Sequence, residues 1–367
     1  MKTVLYITNL PAPYRIDFFN LLAQKVELTV LYERKSASNR DDKWVSQTQK
    51  RPFREIYLDG RSFGAENTLS LGIVRHLRQN TYDEIVLSNY NSPAVMLAIF
   101  YLKRKKRPFW LNCDGMLPKS GQGYGLKEKL KRYLIASASF WISTGKTTTR
   151  ELCCYGARPE RVYEVPFSSV SELEIDREPI DHAEIRKRLS LPSGRLLLYV
   201  GRFIKVKGID VLLSAYARLR EEMGEDVPKL LLLGGTEEQL DSLCGPGPRP
   251  GVLCRGFQKP EAVVDYYRAA DLLVLPTLGD SWGLVVNEAM ARGLPVVTTD
   301  RCGAGLELVE PGKNGFLVPA GSVDALADAI QNGLMLPDAA TAAKNTAARY
   351  TIEAMANATA RLFDCAV

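Results

Sequence analysis

Three stretches in the second half of the chain carry residues able to handle a charged, hydroxyl-rich ligand. The first runs Tyr199-Val200-Gly201-Arg202-Phe203-Ile204-Lys205-Val206-Lys207-Gly208. It follows an apolar run and precedes a helical pattern. Arg202 and Lys207 therefore sit at the carboxyl end of a strand, where open α/β sheets bind ligands. Two cations there can neutralise a diphosphate, and the flanking glycines permit close backbone approach. Lys205 is either a third cation or solvated, and a solvent-facing basic loop is the plainer alternative. The second stretch, Pro276 to Pro295, holds Asp280, Ser281, Trp282 and Gly283 in a loop ahead of a helix. The first N–H groups of a helix lack internal partners and seat phosphate. Glu288 falls on the second turn, where a carboxylate can accept both vicinal hydroxyls of a ribose. An exposed helix glutamate is the alternative, but its neighbours are small or apolar. The third stretch, Cys302 to Val309 and Pro311 to Val318, is a Gly-rich strand-to-helix turn followed by a tight turn at Gly312–Gly315, suited to phosphate or sugar approach.

The first half offers fewer candidates. Its opening loop, Asn9 to Arg15, is stiffened by Pro11 and Pro13. Within it Pro13, Tyr14 and Arg15 form a candidate acceptor or phosphate site, with a surface cation as the alternative for Arg15. Asp114, in Asn112-Cys113-Asp114-Gly115, is either a site carboxylate or a turn acid. Seven cysteines are scattered, only Cys153-Cys154 is a close pair, no CxxC occurs, and His76 and His182 are the two histidines. That pattern argues against a disulfide framework and against structural zinc. Asp41-Asp42 lies in a charged, looping region and forms no DxD motif, so no metal is expected.

Elements that position these residues follow from periodicity. Val4–Thr8, Glu27–Tyr32, Ile85–Ser88, Phe109–Cys113 and Phe140–Thr144 read as strands. Arg15–Gln24, Leu69–Gln79, Ala94–Lys103 and Leu126–Ala138 read as helices between them. The rhythm restarts with Arg195–Val200, Ile209–Glu222, Lys229–Leu233, Glu237–Leu243, Asp271–Leu275 and Pro295–Thr299. Two α/β sheets, each restarting at a strand–loop–helix unit, imply two Rossmann-like domains over 1–170 and 171–350, with 168–190 as the connection. A terminal helical pattern covers Thr351–Phe363.

The linked motifs resemble the donor domain of family 4 glycosyltransferases, a retaining family of the GT-B fold. The match is close over about residues 195–320: a GR…K.KG loop at Gly201–Gly208, an acidic-x7-Glu motif ending at Glu288, then a G.P.V strand and a Gly-rich turn. The resemblance implies an α/β architecture of two Rossmann-like domains facing across a cleft, with 351–367 crossing back to the first. It implies a catalytic set of Arg202, Lys207, Asp114 and Asp280. Arg202 and Lys207 would bind the donor diphosphate, and Glu288 the ribose. Asp280 stands where the family usually has the longer Glu that touches the donor sugar. Gly201, Ser281, Trp282, and the backbones of Gly283, Leu284 and Val285 would line the donor, with Arg255-Gly256-Phe257 meeting the nucleobase. The Asn9–Arg15 loop is similar to that of a subgroup of bacterial surface-polysaccharide transferases. This implies a nucleoside-diphosphate sugar donor, uridine over guanosine, and a saccharide acceptor that is lipid-linked, with no metal and no cofactor.

Bulk properties fit a two-domain globular protein: 367 residues, 46% hydrophobic and 25% charged. No apolar stretch reaches the roughly 20 residues a spanning helix needs. Residues 1–170 carry 27 Lys and Arg against 15 Asp and Glu, and the remainder 21 against 27. The basic half suits an anionic partner. Lys103-Arg104-Lys105-Lys106-Arg107, and a helix placing Leu126, Leu130, Tyr133 and Leu134 on one face among lysines, admit docking on an anionic membrane. Burial of that stripe in its own domain is the alternative. A cytoplasmic protein, peripheral on the inner membrane face, is the resulting expectation. Nucleic acid is not expected, since no reading motif appears. Competing readings are a transferase with a soluble or protein acceptor, a non-catalytic nucleotide-sugar-binding partner subunit, a phosphorylase or epimerase on the same fold, and a dinucleotide oxidoreductase. The last is disfavoured because no G-x-G-x-x-G follows either first strand.

Overall fold

The structure is a computed structural model, and it describes residues 1–35, 51–63, 67–118, 125–178 and 181–365. Asp41 and Asp42 lie outside the described residues. The chain divides into two compact units, Met1–Ser169 with Thr351–Val367, and Val170–Tyr350.

The first unit is built from β1 (Thr3–Thr8), α1 (Pro13–Leu22), β2 (Glu27–Tyr32), β3 (Arg54–Tyr57), a hairpin of β4 (Arg61–Phe63) and β5 (Asn67–Leu69), α2 (Gly72–Gln79), β6 (Glu84–Leu87), α3 (Pro93–Arg104), β7 (Trp110–Asn112), α4 (Leu126–Ala136), β8 (Phe140–Ser143), α5 (Lys146–Cys154) and β9 (Val162–Glu164). Seven parallel strands run in the order β3-β2-β1-β6-β7-β8-β9. Helices cover both faces, so central strands such as Val4–Ile7 are apolar on every side chain and fully buried. Ser92 caps α3 by accepting from the Val95 N–H at 3.2 Å, with Pro93 in the first turn, where a missing N–H costs nothing.

The second unit adds α6 (His182–Arg188), β10 (Leu196–Val200), α7 (Ile209–Met223), β11 (Lys229–Leu233), α8 (Glu237–Cys244), β12 (Val252–Arg255), α9 (Pro260–Ala269), β13 (Leu272–Leu275), α10 (Leu284–Ala291), β14 (Val296–Thr299), α11 (Gly303–Leu308), β15 (Gly315–Val318), α12 (Val323–Gly333) and α13 (Ala339–Ala347). Its six parallel strands follow the order β12-β11-β10-β13-β14-β15. This is the Rossmann arrangement, and the chain reverses direction across the sheet between β10 and β13.

After Tyr350 the chain returns to the first unit as α14 (Ile352–Cys365), which packs on α1. Phe363 is fully buried there, edge-on to Trp110 at 5.8 Å between ring centroids.

Three expectations need correction. The first helix starts at Pro13, not Arg15, because the proline that stiffens the loop also opens a helix well. Residues 168–190 are not a free connection. From Val170 onward they belong to the second unit, where Asp176 pairs with Arg268 and Arg186 pairs with Asp271 at 2.7 Å. The stripe on α4 splits: Leu134 and the adjacent Ile135 turn into the core, whereas Leu126, Leu130 and Tyr133 stay exposed. Strands β3, β9 and β12 and helix α5 escape periodicity because they are short and mix charged with apolar residues.

Candidate functional site

Unit two places its chemistry at the sheet's reversal point. The loop after β10 and the loop after β13 are stitched together. The N–H of Leu278 donates to the Val206 carbonyl at 2.8 Å, and Thr277 Oγ1 donates to the same oxygen at 3.1 Å. Gly208 makes this approach possible. Its φ of +69° is left-handed, and a Cβ there would stand 2.1 Å from the Pro276 carbonyl oxygen.

Within the stitched loops Lys207 Nζ lies 2.5 Å from Asp280 Oδ2, with both side chains about one-fifth exposed. Residues 73 positions apart thus form one ion pair at the mouth of the sheet. Arg202 is exposed on the same loop, and its carbonyl accepts from the Tyr199 hydroxyl at 3.1 Å. Burial first, and then Asp280, raise the Tyr199 phenol well above its ordinary range and keep it a donor.

The third loop joins the other two. Asp280 N–H donates to Arg301 O at 2.9 Å, Gly303 N–H donates to Asp280 O at 3.0 Å, and Ala304 N–H donates to Trp282 O at 2.7 Å. The first two stretches and the Cys302 part of the third are therefore one surface, at the carboxyl ends of β10, β13 and β14, whereas the Gly312–Gly315 turn enters β15 at the opposite end of the sheet. Gly283, left-handed at φ +96°, turns the chain into α10. The N–H groups of Leu284 and Val285 have no helical carbonyl behind them. Ser281 is exposed beside them and Gly201 lies at the start of the first loop.

Glu288 stands on the second turn of α10, half-buried, and accepts from the Tyr267 hydroxyl of α9 at 2.8 Å. Arg255 ends β12, the edge strand two places from β10, and Phe257 just beyond it is exposed. Two strand spacings of about 4.8 Å separate β12 from β10. Gly256, between Arg255 and Phe257, has open space on its Cβ side.

Trp282 departs from its expected part as a donor contact. Its side chain is buried and its indole N–H donates to Asn287 Oδ1 at 2.8 Å, so it is a strut beneath the loop.

In the first unit the structure joins two candidates that the sequence left apart. Arg15 is no surface cation. It is buried in the first turn of α1, ringed by Tyr6, Tyr14, Phe18 and Phe167, and its Nη2 bonds both carboxylate oxygens of Asp114. Asn112 Nδ2 also donates to Asp114 Oδ1, at 2.7 Å. Asp114 thus occupies Nη2 of the guanidinium, while the buried Nη1 has no hydrogen-bond partner. Pro13 opens the helix, and Tyr14 lies edge-on to Phe167 at 5.8 Å. Asp114, one-third exposed, remains the polar group this pair presents.

Sequence reasoning missed Tyr267, whose buried place in α9 leaves no distinctive signal. It also missed Glu33 and Arg34, a buried charged pair at the carboxyl end of β2, with Asn89 Nδ2 donating to Glu33 Oε1 at 3.2 Å. Two charges directly continuing an apolar strand were the available clue. Among the described residues no cluster of His, Cys, Asp and Glu is arranged to hold a metal ion, and no helix is long and apolar enough to cross a membrane.

Comparison with known proteins agrees with this geometry. Residues 194–335 match the family model for glycosyl transferases group 1. A curated D-inositol 3-phosphate glycosyltransferase of Acidothermus cellulolyticus is 34% identical over 217 residues, covering 55% of this chain and 48% of that one. The chain thus spans about half the length of the curated relatives it matches. The Anabaena protein HepE, solved in complex with UDP and glucose, superimposes with a TM-score of 0.73 at 19% identity over 100% of both chains. WaaG, a glycosyltransferase involved in lipopolysaccharide biosynthesis, gives 0.70 at 18% identity over 98% of this chain and 99% of its own. The family match covers residues 194–335 of the second unit, and the two Rossmann-like units share the GT-B fold of these solved structures.

Proposed function

We propose that the protein transfers a sugar from a nucleoside-diphosphate sugar, with uridine as the base, to a lipid-linked saccharide of surface polysaccharide or lipopolysaccharide synthesis. The observation that carries the reading is the Lys207–Asp280 pair, set with Arg202 ahead of the N-terminus of α10 at the reversal point of a Rossmann sheet. A glycosyl donor breaks its anomeric C–O bond through an oxocarbenium-like state while negative charge grows on the departing diphosphate. Arg202, Lys207 and the first N–H groups of α10 supply the opposing charge. Glu288 holds the ribose, and Phe257 and Arg255 flank the base. Asp280 faces a hydroxyl of the transferred sugar. The acceptor hydroxyl attacks the anomeric carbon on the face the diphosphate leaves, and its proton passes to the departing phosphate oxygen. The configuration is retained. Side-chain and helix charge perform the task a metal performs elsewhere, so turnover persists in EDTA.

HepE with bound UDP and glucose supports the donor class, and the described role of WaaG supports the acceptor class. Membrane docking of the first unit is part of the reading. Phe100 and Tyr133 stack in the open at 5.6 Å, Lys103 Nζ lies 4.2 Å from the Tyr133 ring centre, and Leu126 and Leu130 are exposed nearby on α4. Apolar rings among lysines and arginines suit an anionic lipid surface on the inner membrane face.

The test is release of UDP from UDP-sugars with and without lipid-linked acceptors. Lys207→Ala and Glu288→Ala are expected to lower turnover at least about tenfold with unchanged circular dichroism. Near-normal rates in both variants refute the donor site, and product formation without acceptor dependence favours a phosphorylase or hydrolase.

A further inference from the structure

Tyr267 is the strongest group that the proposed chemistry leaves unused. It lies in α9 and is 3% exposed. Its hydroxyl donates to Glu288 Oε2 on α10 at 2.8 Å. Burial first, and Glu288 second, hold the phenol far above its ordinary range, so the hydroxyl stays protonated and donates. Arg292, the residue that follows α10, is buried, with Nη2 at 3.6 Å from the Glu174 carboxylate. The Tyr267 hydroxyl is thus a fixed donor to the Glu288 carboxylate.

A half-exposed glutamate on a helix samples several rotamers, and a ligand that needs one of them loses affinity for the rest. We propose that Tyr267 is a positioning residue for ribose recognition: its hydroxyl fixes the Glu288 carboxylate where it accepts the ribose hydroxyls, and so sets the preference for ribonucleotides over 2′-deoxyribonucleotides. This rests on the reading of Glu288 as the ribose ligand. A ligand lacking the 2′-hydroxyl keeps only its 3′-hydroxyl for the carboxylate and gains less from its placement. Discrimination between the two sugars is therefore the property Tyr267 controls, and a purely structural role for its ring leaves that property untouched.

The experiment titrates the full chain with UDP and with 2′-deoxy-UDP by calorimetry, with GDP and 2′-deoxy-GDP in parallel. Tyr267→Phe keeps the ring and removes only the hydroxyl. The variant is expected to weaken binding of the ribonucleotide about five- to tenfold, to weaken the deoxy form less, and so to shrink the ratio between them about two- to threefold. Donor KM should rise in step while kcat holds. Glu288→Gln serves as the reference, and should abolish the ratio whether or not Tyr267 is present. If Tyr267→Phe retains the wild-type ratio while Glu288→Gln abolishes it, the proposal for Tyr267 fails and the ribose reading stands. If Glu288→Gln also retains the ratio, the ribose reading fails and takes the proposal with it.

Discussion

Asp114→Asn should cost the first unit more stability than Arg15→Met, although each breaks the same ion pair. Arg15 is 2% exposed and Asp114 is 32% exposed. The guanidinium carbon lies 5.5 to 5.9 Å from four aromatic ring centres, so no water replaces a lost carboxylate. Burial works against the Arg15 charge, but Asp114 outweighs it, with Tyr6 and Tyr14 adding, and the cation persists. Removing the negative partner strands that charge in the core, which costs about 3–5 kcal/mol. Arg15→Met fills the aromatic ring with an apolar chain, and the abandoned carboxylate rehydrates through its exposed third, for about 1–2 kcal/mol. The difference, about 2 kcal/mol, separates the urea midpoints by roughly 1 M at an m-value of about 2 kcal/mol/M. Two units preclude a single two-state transition, so hydrogen exchange on peptides from β1 and β7 should read the first unit by itself. Equal losses, or a larger loss for Arg15→Met, refute the claim that burial of the cation governs the pair.

Further outcomes follow from the same geometry. Gly208→Ala places a Cβ against the Pro276 carbonyl in a left-handed position, and UDP affinity should fall by more than about tenfold with hydrogen exchange in the first unit unchanged; normal affinity would contradict the stitched loops. Burial first, with Asp114 and Asp280 adding respectively, pushes the Cys113 thiol up to about 12 and the Cys302 thiol up to about 11. Alkylation at pH 8 should therefore label the exposed Cys154 and spare both until denaturant is added, as peptide mapping would show. The unfolded chain loses these protons near pH 9 and the folded chain holds them, so stability should decline from about pH 9 to 11, a trend that double replacement by Ala should flatten. Leu130→Glu with Tyr133→Glu should reduce co-sedimentation with phosphatidylglycerol vesicles severalfold while leaving turnover on a soluble acceptor analogue unchanged; undiminished vesicle binding would remove α4 from the docking face.

Much of the scaffold was legible because parallel strands buried on both faces announce themselves as unbroken apolar runs. Glu27–Tyr32 and Lys229–Leu233 match β2 and β11 residue for residue. Edge strand Arg54–Tyr57 was not legible, since four residues opening on two adjacent charges resemble a loop. Arg202, Lys207, Asp280 and Glu288 were singled out from loop and helix signals together with the family resemblance. Their contacts were not. Lys207 meets Asp280 because the sheet order places β10 beside β13, a fact that lies in tertiary pairing. The fate of Arg15 depended on Phe167 and Asp114, which no local window contains. The place of Trp282 was hidden because its indole finds Asn287 inside, five residues on.

The return of α14 to the first unit dictates an order of assembly on the ribosome. Residues 170–350 form an uninterrupted unit and can acquire their native packing as soon as they emerge. The amino-terminal unit, although made first, must wait for Phe363 to fill its place beside Trp110 and for α14 to cover α1. Until then that helix face is bare, and nascent chains stalled before position 351 should be held by chaperones through α1, not through the half already complete.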